Sequence, residues 1–428
     1  MDLKQSGRRQ FWKQGAALAG LAAGAIRSAT AQTRAAETPE QSAEEARAYG
    51  ERPRFETTER RDHRLAGQFH GAPYPDSGSR GPYSDLWTPL QDLRGIITPS
   101  GLHFTNNHGY IAPDIDPQQY QLLLHGMVDR SLIFTLDDLK NLPSVSRIHF
   151  VECNGNGSPH FNGINPDSVQ DAHGLTSCSE WTGVRLSVLL KEAGVQKGAH
   201  WVDAESADEL RFTRSIPLDK AIDDVIVAYG QNGEATRTEQ GYPVRLLVPG
   251  WVGSYNIKWL RRLKVVDQPE MGKWSTNMYT TLRPDGKRRW FDFEMPPKSI
   301  ITRPSGGQRL ASKGFYEITG LAWSGSGAIR RVEVSTDGGR TWKDAELQEP
   351  VLRKAHTRFC FPWTWNGEEA VIESRCTDEL GEVQPTLDGF LKKYGITLDY
   401  LPSVNTHFNA IQPWKITPEG NVRNVMFS

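Results

Sequence analysis

Apolar and polar residues alternate in short runs along most of the chain, and Gly, Pro and Asn separate these runs from about residue 98 to residue 268. Residues 120–126 predict a strand that enters a turn, and residues 132–134 predict the returning strand. Residues 135–138 have the spacing of a capping box, which predicts the start of a short helix. Because strands and helices follow one another without a regular strand–helix–strand period, the pattern predicts an α+β fold.

Two further apolar runs predict buried strands, at residues 147–153 and 242–249. The first run ends at Cys153 and leads into a loop with two glycines, which allows the backbone to approach a large ligand closely. Between the two runs, the apolar residues of 184–193 fit one face of a helix, and Gly194 predicts its end.

The pattern changes beyond residue 297, where apolar and polar residues alternate with a period of two. Residues 331–335 predict a strand, residues 337–339 its turn, and residues 341–343 the start of the return. The same alternation recurs at residues 316–322, 357–361 and 370–376. This spacing predicts an antiparallel, immunoglobulin-like β-sandwich that begins near residues 294–300.

The first residues have the composition of an export signal. Arg8 and Arg9 precede an apolar run over residues 15–26, and small residues follow at 29–31. This order predicts a twin-arginine signal peptide over residues 1–31 and a periplasmic mature protein. Because that route carries folded proteins, it also predicts a bulky cofactor that is inserted before export.

Charge and hydropathy argue against two classes of protein. The 428 residues include 50 Lys and Arg against 51 Asp and Glu, which gives a formal net charge of −1. A nucleic-acid-binding protein needs a basic face for the phosphates, so we expect no such partner. The mean hydropathy is −0.54, and no apolar run reaches the roughly 20 residues of a spanning helix, so we expect no membrane span.

Cys153 is a candidate for chemistry, and its residue context leaves several roles open. It can be a buried structural thiol, or a nucleophile with His149 or His160 as its base. It can also bind zinc together with His160, His173 and Cys178, although the chain lacks the paired Cys-x-x-Cys units of common zinc sites.

Two more cysteines and one histidine are notable for their positions. Cys360 and Cys376 are equidistant from residues 367–369, so a hairpin centred there would place them face to face. The sequence is compatible both with a disulfide between these two cysteines and with two buried free thiols. His108 lies in a polar loop, where it is a candidate ligand. No Cys-x-x-Cys-His motif occurs, so we expect no covalent haem in this chain.

Four segments, taken in order, resemble the sulfite oxidase family of molybdenum enzymes. They are residues 104–108, 151–156, 241–250 and 256–259, and the resemblance covers roughly residues 98–420. It implies a molybdopterin-binding catalytic domain followed by a β-sandwich that mediates dimerisation. The domains predicted in this way are the signal peptide over 1–31, a solvated leader over 32–90, the catalytic domain over 91–293 and the sandwich over 294–428.

The resemblance also implies the site residues, each carried over by position. Cys153 would be the protein thiolate on molybdenum, where a soft donor suits the dithiolene and oxo ligands. The implied catalytic residues are Cys153, Tyr279, His108 and Arg358, the last as an anion-binding arginine from the second domain. The implied cofactor-binding residues are Phe104, Asn106, Asn107, His108, Cys153, Arg245, Asn256, Ile257 and Lys258. Among these, Arg245 and Lys258 would supply the cations for the cofactor phosphate.

The sequence departs from the family pattern at three places in the implied substrate pocket. Asn106 stands where sulfite oxidases have an arginine. Gly157 and Ser158 also replace arginines, and Met278 replaces an acidic residue. The lost positive charge disfavours free sulfite as the substrate. The pattern resembles that of sulfane dehydrogenase catalytic subunits in the bacterial Sox thiosulfate-oxidation system, and the alternative is a periplasmic sulfite dehydrogenase.

This branch of the family implies partners as well as a reaction. Electrons would pass to a separate c-type cytochrome subunit, and the substrate would be a sulfane sulfur on a carrier protein, or sulfite in the alternative. The implied assembly is a homodimer or a heterotetramer with the cytochrome. Two hypotheses from other classes are a non-catalytic periplasmic binding module and a thiol hydrolase that uses Cys153.

Overall fold

The computed structural model describes residues 52–62, 85–107, 111–161, 163–282, 285–290, 292–403 and 407–427. The signal peptide predicted over residues 1–31 lies outside these ranges, and so does His108. Residues 52–57 belong to a separate unit, in which Arg52 and Glu56 form an ion pair of 3.4 Å. The other unit, residues 58–428, contains the described strands and helices.

Strands provide most of the regular structure. In chain order they are β1 (Arg61–Asp62), β2 (Asp85–Trp87), β3 (Thr105–Asn106), β4 (Leu122–Gly126), β5 (Leu132–Phe134), β6 (Ser144–Glu152), β7 (Thr176–Arg185), β8 (Trp201–Ser206), β9 (Thr213–Pro217), β10 (Ile226–Gln231), β11 (Glu234–Ala235), β12 (Arg245–Leu247), β13 (Leu260–Val266), β14 (Thr281–Leu282), β15 (Arg288–Arg289), β16 (Lys298–Arg303), β17 (Gly314–Trp323), β18 (Ile329–Ser335), β19 (Lys343–Asp344), β20 (Glu346–Leu347), β21 (Thr357–Trp365), β22 (Ala370–Asp378), β23 (Trp414–Ile416) and β24 (Val422–Asn424).

The helices are short and lie between the strands. The α-helices are α1 (Leu136–Asn141), α2 (Ser158–Phe161), α3 (Val169–His173), α4 (Leu186–Ala193), α5 (Leu218–Asp223) and α6 (Leu387–Tyr394). Single 3-10 segments lie at Ser100–Leu102, Thr238–Gln240, Gly253–Tyr255 and Leu398–Ser403, and a π-helical turn lies at Trp274–Met278. None of the helices in the described ranges is both long and apolar enough to cross a membrane.

Two five-stranded sheets frame the region from β4 to β13. One has the order β11-β10-β7-β6, with β12 pairing with β10, and the other has the order β5-β4-β13-β8-β9. The β4–β13 pair is parallel. The two sheets and the intervening helices share a core in which Leu189, Val202 and Val227 are fully buried. This core holds the loops between the strands in place around one cleft.

Beyond β15, two further sheets pack against each other. One has the order β16-β17-β21-β20 and the other the order β19-β18-β22-β23-β24. Ile318, Val332 and Ile372, which come from both sheets, lie in the same buried core. The α+β class predicted from the sequence is therefore confirmed, whereas the immunoglobulin-like topology and the domain boundary near residue 294 stay predictions.

Local signals in the sequence account for the ends of two helices. The Asp138 amide donates a hydrogen bond to Thr135 Oγ1 at 3.1 Å, and the Thr135 amide donates one to the Asp138 carboxylate, so α1 begins with the predicted capping box. Gly194 ends α4 with a φ of 73°, which glycine adopts without strain. The helix predicted from residue 184 begins at Leu186, because Val184 still pairs within the β6–β7 ladder.

Part of the segment predicted as a solvated leader, residues 32–90, belongs to the core. Trp87 and Leu90 are fully buried, and strand β2 lies between β1 and β3. Trp87 Nε1 donates a hydrogen bond to Asp85 Oδ1 at 2.8 Å. The prediction is wrong for residues 85–90, because the burial of these large apolar side chains outweighs the polar composition of the segment as a whole.

The hairpin that would place Cys360 and Cys376 face to face does not form. Cys360 lies on β21, which pairs with β17, and Cys376 lies on β22, which pairs with β18. The link between these consecutive strands crosses from one sheet to the other, so equal spacing from a turn does not produce a pair. Both thiols are free, with Cys376 buried and Cys360 partly exposed. The disulfide alternative is therefore wrong.

We expect four free thiols per chain, because each of the four cysteines is free in the structure. Alkylation of the denatured protein without reductant should label all four, and prior reduction should leave the number unchanged. Mass spectrometry of the labelled protein gives the count. A larger number of labels after reduction would show a disulfide and contradict the strand arrangement.

Candidate active site

A short loop places Cys153 directly after strand β6. The strand ends at Glu152, and the Cys153 amide donates a hydrogen bond to Leu175 O at 3.0 Å. The Gly155 amide donates to Cys153 Sγ at 3.4 Å, and the Asn156 amide donates to Cys153 O at 3.0 Å. These bonds fix the sulfur at the wall of an open cleft, in the position that the strand-to-loop pattern indicates.

The cleft contains about 710 Å³ of space, part of it open to solvent, and it collects side chains from several distant parts of the chain. Its walls are formed by His103, Phe104, Asn106 and Asn107 around β3; Val151 and Cys153 at the end of β6; Ser206, Asp208 and Phe212 between β8 and β9; Gln240 and Arg245; the segment of Gly253, Ser254, Asn256, Ile257, Lys258 and Trp259; and Tyr279. Nine of the predicted site residues therefore meet here: Phe104, Asn106, Asn107, Cys153, Arg245, Asn256, Ile257, Lys258 and Tyr279. His108 lies outside the described residues.

Arg358 is a predicted site residue that the structure does not bring to the cleft. It is buried on β21, where its Nε donates a hydrogen bond to Gly95 O at 2.7 Å and its Nη2 donates to Leu93 O at 3.3 Å. Its guanidinium therefore holds the backbone of the 93–95 segment. The expectation of an anion-binding role in the pocket came from an imperfect match in spacing, and the observed contacts do not bear it out.

Arg245 and Lys258 form a cationic pair in the cleft wall. Arg245 is 2% exposed, with Nη1 donating to Gln240 O at 2.9 Å and Nη2 donating to Asn256 O at 3.3 Å. Arg245 Nε has no hydrogen-bond partner among the described residues. Lys258 Nζ donates to the side-chain oxygen of Asn107. In the described part of the chain, the acceptors of both cations are thus carbonyl and amide oxygens.

Neither cation forms an ion pair with a carboxylate in the described part of the chain, and the nearby charges of Asp208 and Glu239 only partly offset the burial of Lys258. Burial lowers the pKa of Arg245 to about 9. Burial also lowers the pKa of Lys258 to about 7, and the neighbouring charge of Arg245 adds to the effect. An anion bound between the two groups would stabilise their charged forms. The pair is therefore suited to a buried phosphate.

The surroundings of Cys153 favour a metal ligand over a free nucleophile. Burial raises the pKa of the Cys153 thiol to about 11, although the Gly155 amide and the charge of Lys258 oppose the shift. A thiol with this pKa stays protonated at neutral pH and is weakly nucleophilic. A soft metal ion, in contrast, displaces the proton of the thiol that it binds.

The other roles considered for Cys153 lack their partners in the structure. His149 lines a separate cavity, where its Nδ1 lies 3.3 Å from Lys354 O. His160 stacks on His173 with ring centroids 5.3 Å apart, and neither ring lines the cleft. Across the described ranges, no three His, Cys, Asp or Glu side chains come together as a metal site, so the zinc hypothesis is wrong.

Three buried charged residues near the cleft are absent from the sequence prediction: Glu152, Asp208 and Arg214. Asp208 lines the cleft, and its Oδ1 accepts a hydrogen bond from Ser206 Oγ at 2.5 Å. Arg214 lies against Tyr279, with its guanidinium carbon 4.8 Å from the ring centroid. A charge inside a predicted buried strand was an available signal for Glu152, since such residues are rarely buried without a partner. The segment that contains Asp208 and Arg214 has no distinctive sequence pattern.

Two family models match consecutive segments of the chain. Residues 108–274 match the oxidoreductase molybdopterin binding domain, and residues 289–391 match the Mo-co oxidoreductase dimerisation domain. The chain is 34% identical over 335 residues to the mitochondrial sulfite oxidase of Rattus norvegicus, an alignment that covers 72% of this chain and 60% of that protein. It is 29% identical over 333 residues to an NADH nitrate reductase of Ulva prolifera, covering 68% of this chain and 38% of that protein.

A solved structure extends the similarity to most of the chain. The sulfane dehydrogenase SoxCD from Paracoccus pantotrophus matches with 39% identity and a TM-score of 0.81, covering 89% of this chain and 93% of that chain. Together with the cleft, these matches define a molybdopterin-binding oxidoreductase. Within that class, the chain belongs to the sulfite oxidase family and is SoxC-like, as its sequence motifs predicted.

The residues of the cleft fit the molybdopterin group that this family binds. The partly exposed Cys153 thiol provides a soft donor for the metal. The unpartnered Arg245 Nε and the Lys258 ammonium provide donors and positive charge for a phosphate. Phe104, Ile257 and Trp259 supply apolar walls for the ring system.

We expect Lys258→Met to weaken cofactor retention by about tenfold or more, because a hydrogen bond to a charged group contributes about 1.5–3 kcal/mol. Molybdenum and pterin content after extended dialysis measures the effect. Lys264→Met, which removes an exposed lysine of β13, is the matched control. Equal cofactor content in both variants and in the unsubstituted protein would contradict a phosphate-binding role for Lys258.

Proposed function

We propose that this chain is the catalytic subunit of a periplasmic sulfane dehydrogenase, which oxidises a sulfane sulfur carried on a partner protein. The observation that supports the proposal is Asn106, whose neutral side chain lines the cleft where the family resemblance implies a sulfite-binding arginine. The cationic pair, Arg245 and Lys258, is suited to the cofactor phosphate. Because residue 106 is neutral and the cationic pair is used by the cofactor, the pocket has little positive charge left to bind a free sulfur dianion.

The proposed reaction is a two-electron oxidation in which water supplies the oxygen, R–S⁻ + H₂O → R–SO⁻ + 2H⁺ + 2e⁻. When bound, the molybdenum group supplies the redox centre and the oxygen-transfer chemistry. A c-type cytochrome accepts the two electrons one at a time. The similarity to a sulfane dehydrogenase over 89% of the chain supports this assignment of substrate and acceptor.

The chain itself holds and orients the reactants. Cys153 binds the metal through a sulfur whose position the Gly155 and Leu175 backbone groups fix. Tyr279 lines the cleft, and its ring meets that of Phe212 edge-on, with centroids 6.0 Å apart. A side chain held in this way can orient the substrate sulfur without a large loss of entropy on binding.

Location and assembly form part of the proposal. The twin-arginine pattern of residues 1–31 supports export to the periplasm in the folded, cofactor-loaded state. The match of residues 289–391 to a dimerisation domain supports a homodimer. A heterotetramer results when each protomer also binds one cytochrome subunit.

The second candidate function is that of a sulfite dehydrogenase, which the 34% identity to a sulfite oxidase favours. The decisive experiment uses protein purified from a molybdate-replete host, with metal analysis followed by cytochrome c reduction assays. Thiosulfate-loaded carrier protein and sulfite are compared at equal concentration. We expect a higher kcat/KM for the carrier, and a higher kcat/KM for sulfite would overturn the proposal.

A substitution at position 106 tests the same substrate preference within the cleft. We expect Asn106→Arg to raise kcat/KM for sulfite by about tenfold or more, since a new positive charge in a partly buried pocket attracts the dianion. Asn366→Arg adds the same charge at an exposed position and is the control. Unchanged sulfite kinetics in both variants, at equal molybdenum content, would show that residue 106 does not set the substrate.

A further inference from the structure

Arg214 is a buried cation in the wall behind the cleft. It lies on β9, where it contacts the Gly253–Tyr255 segment and the Trp274–Met278 turn, and it is only 2% exposed. Its Nη1 donates a hydrogen bond to Trp274 O at 3.0 Å. Its guanidinium carbon lies 4.2 Å from the centroid of the Tyr255 ring and 4.8 Å from that of Tyr279. The cation therefore stacks against two tyrosines, one of which lines the cleft.

The hydrogen-bonding capacity of this cation is only partly used. Within the described residues, Arg214 Nε has no hydrogen-bond partner, and neither has Ser254 Oγ, which belongs to the cleft wall. Among the described residues, the acceptors near the Arg214 guanidinium are the Trp274 carbonyl and the Tyr255 hydroxyl, neither of which carries a full charge. A buried charge without a counter-charge is unfavourable, and an anion nearby would stabilise it. The aromatic faces compensate in part, because a guanidinium stacks well on them.

We propose that Arg214 is the specificity-determining charge of the cleft: it holds the Tyr279 ring and supplies the positive potential that attracts the anionic sulfur group of the substrate. Arg214, which lies on a different strand, would supply the positive charge that is missing at position 106. This inference rests on the proposed function and deepens it. Arg214 is a positioning residue, since it acts through Tyr279 and through its field rather than by touching the reacting atoms.

The placement of the charge indicates which class of sulfur compound the cleft favours. A single cation behind a tyrosine lies farther from the substrate than an arginine in the pocket itself would. Its attraction for the substrate is therefore weaker. Such a field suits a substrate with one negative charge at the end of a longer chain, such as a persulfide or thiosulfonate group on a protein cysteine. A small free dianion is attracted by the same field, but it loses more hydration on entry, so its net affinity is lower.

The test compares Arg214→Gln, which removes the charge, with Arg214→Lys, which keeps it, in the molybdenum-loaded protein. We expect Arg214→Gln to raise KM for the thiosulfate-loaded carrier by about tenfold while kcat falls less, as expected for a residue that acts on binding. Sulfate serves as a probe anion in isothermal titration calorimetry, and we expect its Kd to rise by about the same factor. Arg214→Lys should give a sulfate Kd within about threefold of the unsubstituted protein, because the charge is retained although the stacking on the two tyrosine rings is weaker.

Arg211→Gln is the matched control, since it removes an arginine of the same segment that is 58% exposed. We expect its KM and sulfate Kd to equal those of the unsubstituted protein. A purely structural role predicts a different result, in which Arg214→Gln and Arg214→Lys lower kcat and thermal stability alike and leave KM and sulfate Kd unchanged. That result would overturn the inference.

The readouts separate this inference from the proposed function. If the unsubstituted enzyme prefers sulfite to the loaded carrier, the proposed function is wrong. The effect of Arg214→Gln on sulfate Kd is measured independently of either substrate. A tenfold rise in sulfate Kd would then support Arg214 as the anion-attracting charge of a sulfite-oxidising enzyme, and an unchanged Kd would remove that role as well.

Discussion

Cys153→Ser is expected to lower sulfur oxidation by at least about 10³-fold, which corresponds to about 4 kcal/mol in activation free energy, while the protein still folds. The Cys153 sulfur is the soft donor at the cleft wall, and a serine hydroxyl is a harder ligand that loses its proton far less readily. The backbone bonds that fix the loop, to Leu175 and Asn156, do not involve the sulfur. The measurements are kcat/KM for cytochrome reduction and the unfolding midpoint by circular dichroism.

Cys360→Ser provides the control for this prediction, because it makes the same chemical change at a partly exposed thiol on β21. Its activity should equal that of the unsubstituted protein. X-ray absorption at the molybdenum edge should show one fewer sulfur neighbour in Cys153→Ser and no change in Cys360→Ser. Equal turnover in the two variants would mean that the Cys153 sulfur is not needed for the reaction.

The features that the sequence predicts correctly depend on residues close together in the chain. The capping box of α1 involves Thr135 and Asp138, three residues apart, and Gly194 ends α4 through its own backbone conformation. The strand that leads to Cys153 follows from an uninterrupted apolar run. The grouping of the cleft residues required a different source, because no local rule brings Asn106, Cys153 and Lys258 together. Only the resemblance to a family with a known arrangement could supply it.

The features that were missed depend on contacts between distant segments. Arg358 binds the carbonyls of Leu93 and Gly95, which are more than 260 residues away, so its spacing from the aromatic run carries no information about the pocket. Cys376 lies in a different sheet from Cys360 because the chain crosses between sheets after β21. Which distant segments come into contact depends on how large apolar faces pack together, and a short stretch of sequence does not determine it.

Glu152 is the long-range contact with the most direct bearing on the site, since it precedes Cys153 in the chain. Its fully buried carboxylate accepts hydrogen bonds from Asn156 at 2.7 Å and from Trp323 at 2.5 Å. Lys298, which lies 146 residues away and is fully buried, donates at 3.1 Å, and His407 contacts the same oxygen at 2.8 Å. Burial raises the pKa of the Glu152 carboxyl, but the charges of His407 and Lys298 outweigh burial and hold it below its usual range.

We expect Glu152→Ala to lower the free energy of unfolding by about 3–5 kcal/mol, because it leaves Lys298 buried without its counter-charge. Urea denaturation followed by tryptophan fluorescence measures the loss. Glu382→Ala is the control, because it removes a carboxylate from a pair with Lys393 that is also close, at 2.8 Å, but has both side chains more than 40% exposed. An exposed pair of this kind contributes about 1 kcal/mol or less, so the control should change stability little.

A double substitution distinguishes an unpaired buried charge from a simple loss of packing at this position. Glu152→Gln combined with Lys298→Met removes both charges, so no uncompensated ion remains in the core. We therefore expect the double variant to be more stable than the sum of the two single losses predicts, by at least about 1 kcal/mol. Strict additivity would show that the two residues do not act as a pair. In that case the buried ion pair would not anchor the Cys153 loop to β16, and the loop would depend on its backbone hydrogen bonds alone.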